Sequence, residues 1–202
     1  MKLILITAPY YFVEETALLK AFFEEGLDVL HLCKPDTPLL YAERFLALIP
    51  EKYHKRIVLH DHFQLKEEYK LKGIHLSDRN PFIPEKYKGF ISATCRTSGE
   101  VKVDKINCNY VFLSNIYNSL SYPEQFATHT TAELLQYQAE GIIDKRVIAL
   151  GGITHENIHE MKELGFGGIA VQGAIWTRFQ HESSCEYGEI IQYFKQLRKL
   201  AD

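Results

Sequence analysis

The sequence predicts an α/β fold, a single-domain (β/α)8 TIM barrel, and three observations lead to this prediction. Eight short runs of β-forming residues alternate with segments of helical period along the 202 residues. The runs IVLHD and VIALGG carry apolar side chains consecutively, which is typical of parallel strands that are covered on both faces. No linker or short repeat divides the chain, so residues 1–202 are expected to form one domain. A doubly wound open sheet is the alternative, because alternation alone does not show that the sheet closes.

The predicted elements follow one another in strict order along the chain. Strands are predicted at residues 3–7, 29–34, 56–61, 73–77, 89–94, 110–115, 146–150 and 168–172. Helices are predicted at residues 14–25, 38–49, 62–72, 132–143, 156–164 and 187–200. The segment PFIPEKY is short and rich in proline, so no helix is predicted between the fourth and fifth strands. Four glutamates are interpreted as a solvated face of the first helix: Glu14, Glu15, Glu24 and Glu25.

The net charge and the composition limit the classes of partner and the cellular location that can be expected. The formal net charge is −3 and the isoelectric point is near 6.3, so neither a nucleic acid nor a membrane partner is expected. No apolar run approaches the roughly 18 to 20 residues that span a bilayer, and the opening MKLILITAPYY lacks a basic leader, so a cytoplasmic location is predicted. Without a CxxC pair, reduced thiols are predicted rather than a zinc site or disulfides, at Cys33, Cys95, Cys108 and Cys185.

Polar residues follow the middle strands of the predicted barrel, where the chemistry of this fold is located. The candidates at the strand ends are His31, Cys33, Lys34, His60, Asp61, His75, Thr94 and Asn115. Asp61 follows an apolar strand, and an unpaired carboxylate would be costly to bury there, so we expect it to contact a metal, a cation or solvent. The histidines are left open between ligand contacts and core residues that hydrogen-bond across the barrel, with the core position favoured for His75.

The last two strands end in glycine instead of polar side chains. Gly151 and Gly152 follow VIAL, and Gly173 closes GIAVQ. Glycine leaves backbone N–H groups bare, and a helix that begins beyond it directs its positive end to the same place. A single glycine pair is more often a simple turn, but two glycine-bearing ends on neighbouring strands predict a site for a phosphate monoester.

An ordered set of motifs over residues 3–176 resembles the thiamine phosphate synthase and TenI family, and most closely its TenI-like branch. The motifs are GLDVLHLCKP, RIVLHD with KGIHLS, ISATCRTSGE, YVFLSNIYNSLS, and VIALGGI with GFGGIAVQGAIW. The resemblance implies a transferase of thiamine biosynthesis. Its reaction joins hydroxymethylpyrimidine diphosphate to thiazole phosphate and gives thiamine phosphate and diphosphate. Stabilising the charge of the leaving diphosphate is the main chemical demand.

The resemblance also implies roles for single residues on the pyrimidine side. Asp61 and Asn80 stand where the family binds Mg²⁺, and Lys34 stands at a diphosphate contact. Thr94 would donate its hydroxyl near the diphosphate, and His31 would contact the pyrimidine. Lys34, Asp61 and Thr94 are therefore the expected catalytic residues.

The remaining expected contacts surround the substrates. By resemblance, Gly152 and Gly173 hold the thiazole phosphate through backbone N–H groups, while Cys33, His60 and Asn115 line the substrate pocket. The implied partners are small phosphorylated thiazole and pyrimidine molecules, and a homodimer is left open.

The chain departs from the family pattern at four positions. Cys33 stands in place of an arginine, Asn80 in place of the second magnesium carboxylate, and Tyr122 near the place of a lysine. Asn115 stands where the TenI-type tautomerase has its acid–base histidine, and asparagine cannot shuttle a proton. The alternatives to the synthase are a TenI-like thiazole tautomerase, a catalytically weak thiazole phosphate-binding protein and a different phosphosugar isomerase.

Overall fold

Eight parallel strands close into a barrel in this computed structural model, which describes residues 1–180 and 187–202. The strands are β1 (Lys2–Ile6), β2 (Val29–Leu32), β3 (Ile57–Leu59), β4 (Gly73–Leu76), β5 (Phe90–Cys95), β6 (Tyr110–Leu113), β7 (Val147–Leu150) and β8 (Gly168–Val171). Each strand pairs with its neighbour in sequence, and β8 pairs with β1. The predicted TIM barrel is confirmed, and the open sheet is excluded.

Helices connect the strands on the outside of the barrel. They are α1 (Glu15–Glu24), α2 (Leu39–Leu48), α3 (Leu65–Glu68), α4 (Ser98–Asp104), α5 (Thr131–Ala139), α6 (Ile158–Glu163), α7 (Gly173–Gln180) and α8 (Tyr187–Ala201), with a 3-10 helix at Glu51–Arg56. All six predicted helices are present, although α3 is much shorter than the predicted 62–72. No helix among the described residues is long and apolar enough to cross a membrane.

Two of the helices, α4 and α7, are not predicted from the sequence. The start of α4 carries a recognisable signal, because Thr97 caps it by accepting a hydrogen bond from the Glu100 amide at 3.2 Å, and Glu100 accepts one from the Arg96 amide. The start of α7 carries no such signal, because Gly173 is its first residue and glycine is a poor helix former.

The core lies in two layers that the strand alternation separates. Side chains such as Ile4, Val58, Phe112 and Ile148 fill the barrel interior, and a larger cluster packs between the strands and the outer helices. Both faces of the strands are therefore buried, as the consecutive apolar runs predict. Glu15 also lies in the interior of the protein at 0 % exposure, so its interpretation as part of a solvated face is wrong.

The cysteines that the structure describes form no disulfide. Cys33, Cys95 and Cys108 are free thiols, and Cys95 and Cys108 are buried. Cys185, the fourth predicted thiol, lies outside the described residues.

Candidate functional site

A cavity of about 460 Å³ lies at the carboxyl ends of β5 to β8. Thr94, Asn115, Tyr122, Gly152 and Gly173 all contribute to its wall. The structure thus brings four of the predicted site residues together, and Tyr122 joins them from the loop that follows β6. This is the end of a (β/α)8 barrel where ligands bind.

The glycines at the ends of β7 and β8 allow the chain itself to approach closely. Gly152 has a φ of 65°, and a Cβ there would lie 2.5 Å from the Asn118 carbonyl oxygen. A Cβ on Gly173 would lie 2.6 Å from Leu120 Cβ and 2.8 Å from Ser121 Oγ. Both positions therefore require glycine because the loop between β6 and α5 packs directly on them.

The same glycine end presents backbone donors to the cavity. Helix α7 begins at Gly173, and its first hydrogen bonds run from the Ile175 and Trp176 amides to the Gln172 carbonyl at 3.1 and 3.0 Å. The Gly173 and Ala174 amides precede these bonds, and both residues line the cavity. The positive end of α7 therefore faces the space where an anion would bind.

Thr94 and Asn115 flank the cavity from β5 and from the residues after β6. The Thr94 hydroxyl is 2.8 Å from His75 Nε2, which fixes its orientation at the cavity wall. The backbone N–H of Asn115 donates to Thr128 Oγ1 at 3.1 Å, and the side-chain nitrogen of Asn115 is 3.5 Å from the Phe126 carbonyl oxygen. Both side chains are therefore placed by the protein before any ligand binds.

Three histidines form a buried network inside the barrel. His31 Nδ1 lies 2.8 Å from His60 Nε2, and His31 Nε2 lies 2.5 Å from the Tyr110 hydroxyl. His75 bonds Ser92 through Nδ1 and Thr94 through Nε2, each at 2.8 Å. Burial lowers the pKa of His60 to about 3 and lowers those of His31 and His75 well below their usual value. All three rings are consequently neutral near pH 7.

The hydrogen bonds of this network correct the expected contact of His31 with the pyrimidine and agree with the interpretation of His75 as a core residue. His31 is 0 % exposed and both of its ring nitrogens are engaged, so its geometry offers no direct contact with a pyrimidine. His75 is the core residue that the sequence favours. Ligand nitrogens of these two rings and of His60 lie within 4.8 Å of one another, but a metal there would displace the hydrogen bonds just described.

Asp61 lies in a polar cluster at the ends of β2 to β4. Its Oδ2 is 3.2 Å from Arg79 Nη2, and its Oδ1 accepts a hydrogen bond from Asn80 Nδ2 at 3.0 Å. The same Asn80 nitrogen donates to the His60 carbonyl oxygen at 2.8 Å, and Arg79 Nη2 lies 3.5 Å from Cys33 Sγ. The expected cation beside Asp61 is thus a guanidinium of the chain itself, which the sequence reasoning did not identify.

Lys34 does not reach this cluster. Its Nζ is 2.5 Å from Glu15 Oε2 and 2.6 Å from the Tyr10 carbonyl oxygen, and it lies over the rings of Tyr11 and Phe45 at 4.6 and 5.3 Å. Burial raises the pKa of Glu15 to about 7 and lowers that of Lys34. At 3 % exposure the ammonium is enclosed in an ion pair, so the expected diphosphate contact by Lys34 is corrected to a structural role.

A second arginine, Arg96, lies at the cavity itself, which Arg79 does not line. Arg96 lines the wall beside Thr94 and forms a two-pronged ion pair with Asp78, in which Nη1 and Oδ1 are 3.1 Å apart. The sequence places Arg96 after the fifth strand and Arg79 after the fourth, but it gives no sign that Arg96 lines the cavity or that Arg79 pairs with Asp61.

Comparison with known proteins identifies the relatives of this chain. The family described as thiamine monophosphate synthase matches residues 3–175. A thiamine-phosphate synthase of Phocaeicola vulgatus is 30% identical over 166 residues, which are 75% of this chain and 79% of that protein. The synthase of Erythrobacter litoralis is 28% identical over 127 residues, and the match spans only 59% of either chain.

Solved structures agree with these relatives. The structure of a thiamine phosphate pyrophosphorylase from Bacteroides thetaiotaomicron superposes with a TM-score of 0.90 at 50% identity and covers 99% of this chain and 97% of that one. The thiamine phosphate pyrophosphorylase of Pyrococcus furiosus shares the fold, with a TM-score of 0.73 at 17% identity over 98% of this chain and 94% of that one. The chain therefore belongs to the thiamine monophosphate synthase family.

Proposed function

We propose that this protein joins hydroxymethylpyrimidine diphosphate to thiazole phosphate and releases thiamine phosphate and diphosphate. One observation carries the proposal: a single cavity has backbone N–H donors at one end and a hydroxyl and a guanidinium at the other. The two ends suit the two phosphorylated substrates of the reaction. The names of the relatives support the same assignment.

The reaction exchanges one bond for another without oxidation or reduction. The carbon–oxygen bond between the pyrimidine methylene group and the diphosphate breaks, and the electron pair leaves with the diphosphate. The thiazole nitrogen then gives its lone pair to the methylene carbon and forms the new carbon–nitrogen bond. The protein must stabilise negative charge on the leaving group and hold the thiazole nitrogen in line with the carbon.

The glycine end of the cavity would hold the thiazole phosphate. The Gly152 turn and the first turn of α7 at Gly173 present backbone amides there, and a phosphate monoester accepts hydrogen bonds from such donors. Ser119 and Ser121, which also line the cavity, add hydroxyl groups from the loop that packs on Gly173. The thiazole ring would then extend toward β5 and the barrel axis.

The opposite wall would receive the diphosphate. Thr94 presents a hydroxyl whose orientation is fixed by His75, and Arg96 adds a guanidinium. Hydrogen bonds from a charged donor to phosphate oxygens are about twice as strong as neutral ones, so Arg96 would contribute more than Thr94. Cys33 and His60 directly follow β2 and β3, and in this proposal they lie on the side of the mouth that the pyrimidine faces.

Magnesium, which the resemblance implies for this family, does not fit the side chains at its expected site. The Asp61 carboxylate is already paired with Arg79 and Asn80. Asn80 Nδ2 faces two acceptors, the His60 carbonyl and Asp61 Oδ1, so this amide presents donors and not an oxygen ligand toward Asp61. Asp78 is engaged by Arg96. No step of the reaction is therefore assigned to a metal.

The tautomerase and the isomerase are less well supported. Asn115 lines the cavity in place of the tautomerase histidine, and no histidine of the described residues stands in the cavity wall. A proton shuttle between carbon atoms would need such a group. A cytoplasmic location and a homodimer remain predictions.

The direct test is an assay of thiamine phosphate formation from the two substrates with purified protein. We expect turnover in wild type and about tenfold less in Thr94→Val, which removes the hydroxyl and keeps the shape. Thr16→Val, on helix α1, is the matched control and should keep the wild-type rate. Binding of thiazole phosphate without any product would instead identify a thiazole phosphate-binding protein.

A further inference from the structure

We infer that Arg79 takes the place of the family's magnesium, so that diphosphate binds at the ends of β2 to β5 through guanidinium groups and without a divalent cation. The inference rests on the proposed function, because it concerns the leaving group of that reaction. Its starting observation is the disagreement between the residues at the expected metal site and the requirements of Mg²⁺.

The geometry of Arg79 suits an anion that approaches from the mouth. One nitrogen, Nη2, makes the contacts with Asp61 and with Cys33 Sγ. In the part of the chain that the structure describes, Nε and Nη1 of Arg79 make no hydrogen bond, and the side chain is 42 % exposed. The guanidinium is thus anchored at one corner by the protein and keeps two donor positions for a ligand.

The charges in this cluster leave little attraction for a metal ion. Asp61 is its one carboxylate, it is 19 % exposed, and the positive charge of Arg79 neutralises it. Burial raises the pKa of the Cys33 thiol, so Cys33 stays neutral near pH 7 and supplies no thiolate. A magnesium ion at Asp61 would have to displace Arg79 and would find an amide nitrogen where the second carboxylate is expected.

Arg79 does not line the cavity itself, but two residues of the cavity wall relate to it. Tyr122 lines the cavity wall; burial raises its pKa, and the positive charge of Arg79 acts in the opposite direction. Arg96 lines the same cavity and is held by Asp78, the residue that precedes Arg79. Two arginines therefore stand on the consecutive loops after β4 and β5, and in the inferred arrangement a diphosphate bridges them.

This arrangement accounts for two departures from the family pattern together. The family's second strand supplies an arginine where this chain has Cys33, and the fourth strand supplies a carboxylate where it has Asn80. In this chain a guanidinium from residue 79 fills the space beside Cys33 and pairs with the remaining carboxylate. In this chain the fixed cation beside Cys33 and Asp61 is therefore Arg79, on the loop after β4.

Calorimetric titration with inorganic diphosphate tests the inference. Wild type should bind it with the same affinity, within about twofold, in EDTA and in Mg²⁺. Arg79→Gln should lose about tenfold or more in EDTA, because a charged hydrogen-bond partner is lost. The matched control is Arg146→Gln at the opposite end of the barrel, where the Arg146 side chain donates only to the Lys105 carbonyl among the described residues, and it should bind like wild type.

A second variant gives a signature that a structural role would not produce. Arg79→Gln combined with Asn80→Asp frees Asp61 and supplies a second carboxylate, so diphosphate binding should become magnesium-dependent, with a gain of about tenfold over EDTA. Diphosphate binding by wild type that disappears in EDTA would overturn the inference, as would equal affinity in wild type and Arg79→Gln. Absence of binding in both buffers would also overturn it. Metal-free diphosphate binding without thiamine phosphate formation would support the inference and refute the proposed function.

Discussion

Two halves of the barrel mouth carry their polar groups differently. At the ends of β2 to β4 the charged side chains are paired within the protein, Lys34 with Glu15 and Arg79 with Asp61. At the ends of β5 to β8 the glycines and the first turn of α7 leave a cavity lined by backbone donors. We call these the paired half and the open half. The contrast teaches that a charged residue at a strand end can be assigned to a ligand only after its partners within the protein are known.

The distinction follows from the cost of burial. A buried charge is tolerated only with a partner, and once that partner is part of the fold, the charge is less available to a ligand. Backbone N–H groups in the first turn of a helix carry no net charge that must be neutralised on burial, and they remain free to bind an anion. In the paired half the buried pair of Lys34 and Glu15 therefore contributes stability, whereas Arg79 is only partly buried and keeps donors for an anion. The open half contributes space.

The largest effect is expected from breaking the ion pair of the paired half. Lys34→Met leaves the Glu15 carboxylate buried without its cation and should lower the free energy of unfolding by about 3 to 5 kcal/mol. Lys34→Met with Glu15→Leu removes both charges and should recover most of the loss. Urea denaturation of the three proteins at pH 7 measures this. If Lys34→Met were as stable as wild type and only diphosphate binding fell, Lys34 would be a ligand contact after all.

The histidine network beneath the two halves should make stability depend on pH. Its rings are neutral in the fold and protonate near pH 6.5 when unfolded, so the unfolded chain binds more protons below that pH and stability falls as the pH is lowered. Each histidine can contribute up to about 1.4 kcal/mol per pH unit. Between pH 4.5 and 7 Glu15 acts in the opposite sense, because its pKa is raised to about 7.

Denaturation at pH 7 and pH 5.5 measures the net effect, which we expect to be a loss of roughly 2 kcal/mol. His75→Gln should reduce this loss, because one of the neutral rings is gone. His159→Gln, at a residue that is 80 % exposed, is the control and should leave the pH dependence unchanged. Stability that stays level between the two pH values would mean that the buried rings are not held neutral.

Adding one methyl group at Gly173 should disturb the phosphate site of the open half. Gly173→Ala places a Cβ against Leu120 and Ser121, so the loop after β6 must shift, at a cost of about 1 to 3 kcal/mol. Binding of thiazole phosphate should weaken by about tenfold, as measured by calorimetry. Gly188→Ala, where nothing among the described residues lies within 4 Å of the added Cβ, is the matched control. Equal affinities in both variants would remove the phosphate site from this end of the cavity.

The smallest effect is expected at Cys33. Its sulfur is a weak acceptor 3.5 Å from Arg79 Nη2, and Asp61 anchors the same nitrogen. Cys33→Ala should therefore change the affinity for inorganic diphosphate by less than about twofold. A larger loss in that titration would show that the thiol, and not only the arginine beside it, belongs to the binding site.

The sequence predicts the fold better than the site for a physical reason. Strand alternation and apolar runs are local signals, so all eight strands were recognisable from neighbouring residues. The pairing of Lys34 with Glu15 joins residues on different elements, and no local pattern shows that the first turn of α1 lies beside the end of β2. The position of Arg79 beside Asp61 depends in the same way on how two neighbouring loops fold.

The glycine end shows the opposite case. Bare backbone next to a strand end is a local property, so the sequence indicates that Gly152 and Gly173 lie together, and both line the cavity. Their reason for being glycine was only partly predictable, because the loop that packs on them follows a different strand. The sequence does not predict helix α7, because glycine at its first position lowers the helical signal.

The most direct test of the two-half account is a crystal structure grown with thiazole phosphate and inorganic diphosphate in EDTA. The account predicts the monophosphate at the amides of the Gly152 turn and the first turn of α7, and the diphosphate against Arg79 and Arg96 with no metal ion between them. Thiazole phosphate bound to Arg79, or diphosphate at the glycine end, would contradict the division of the mouth into a paired half and an open half.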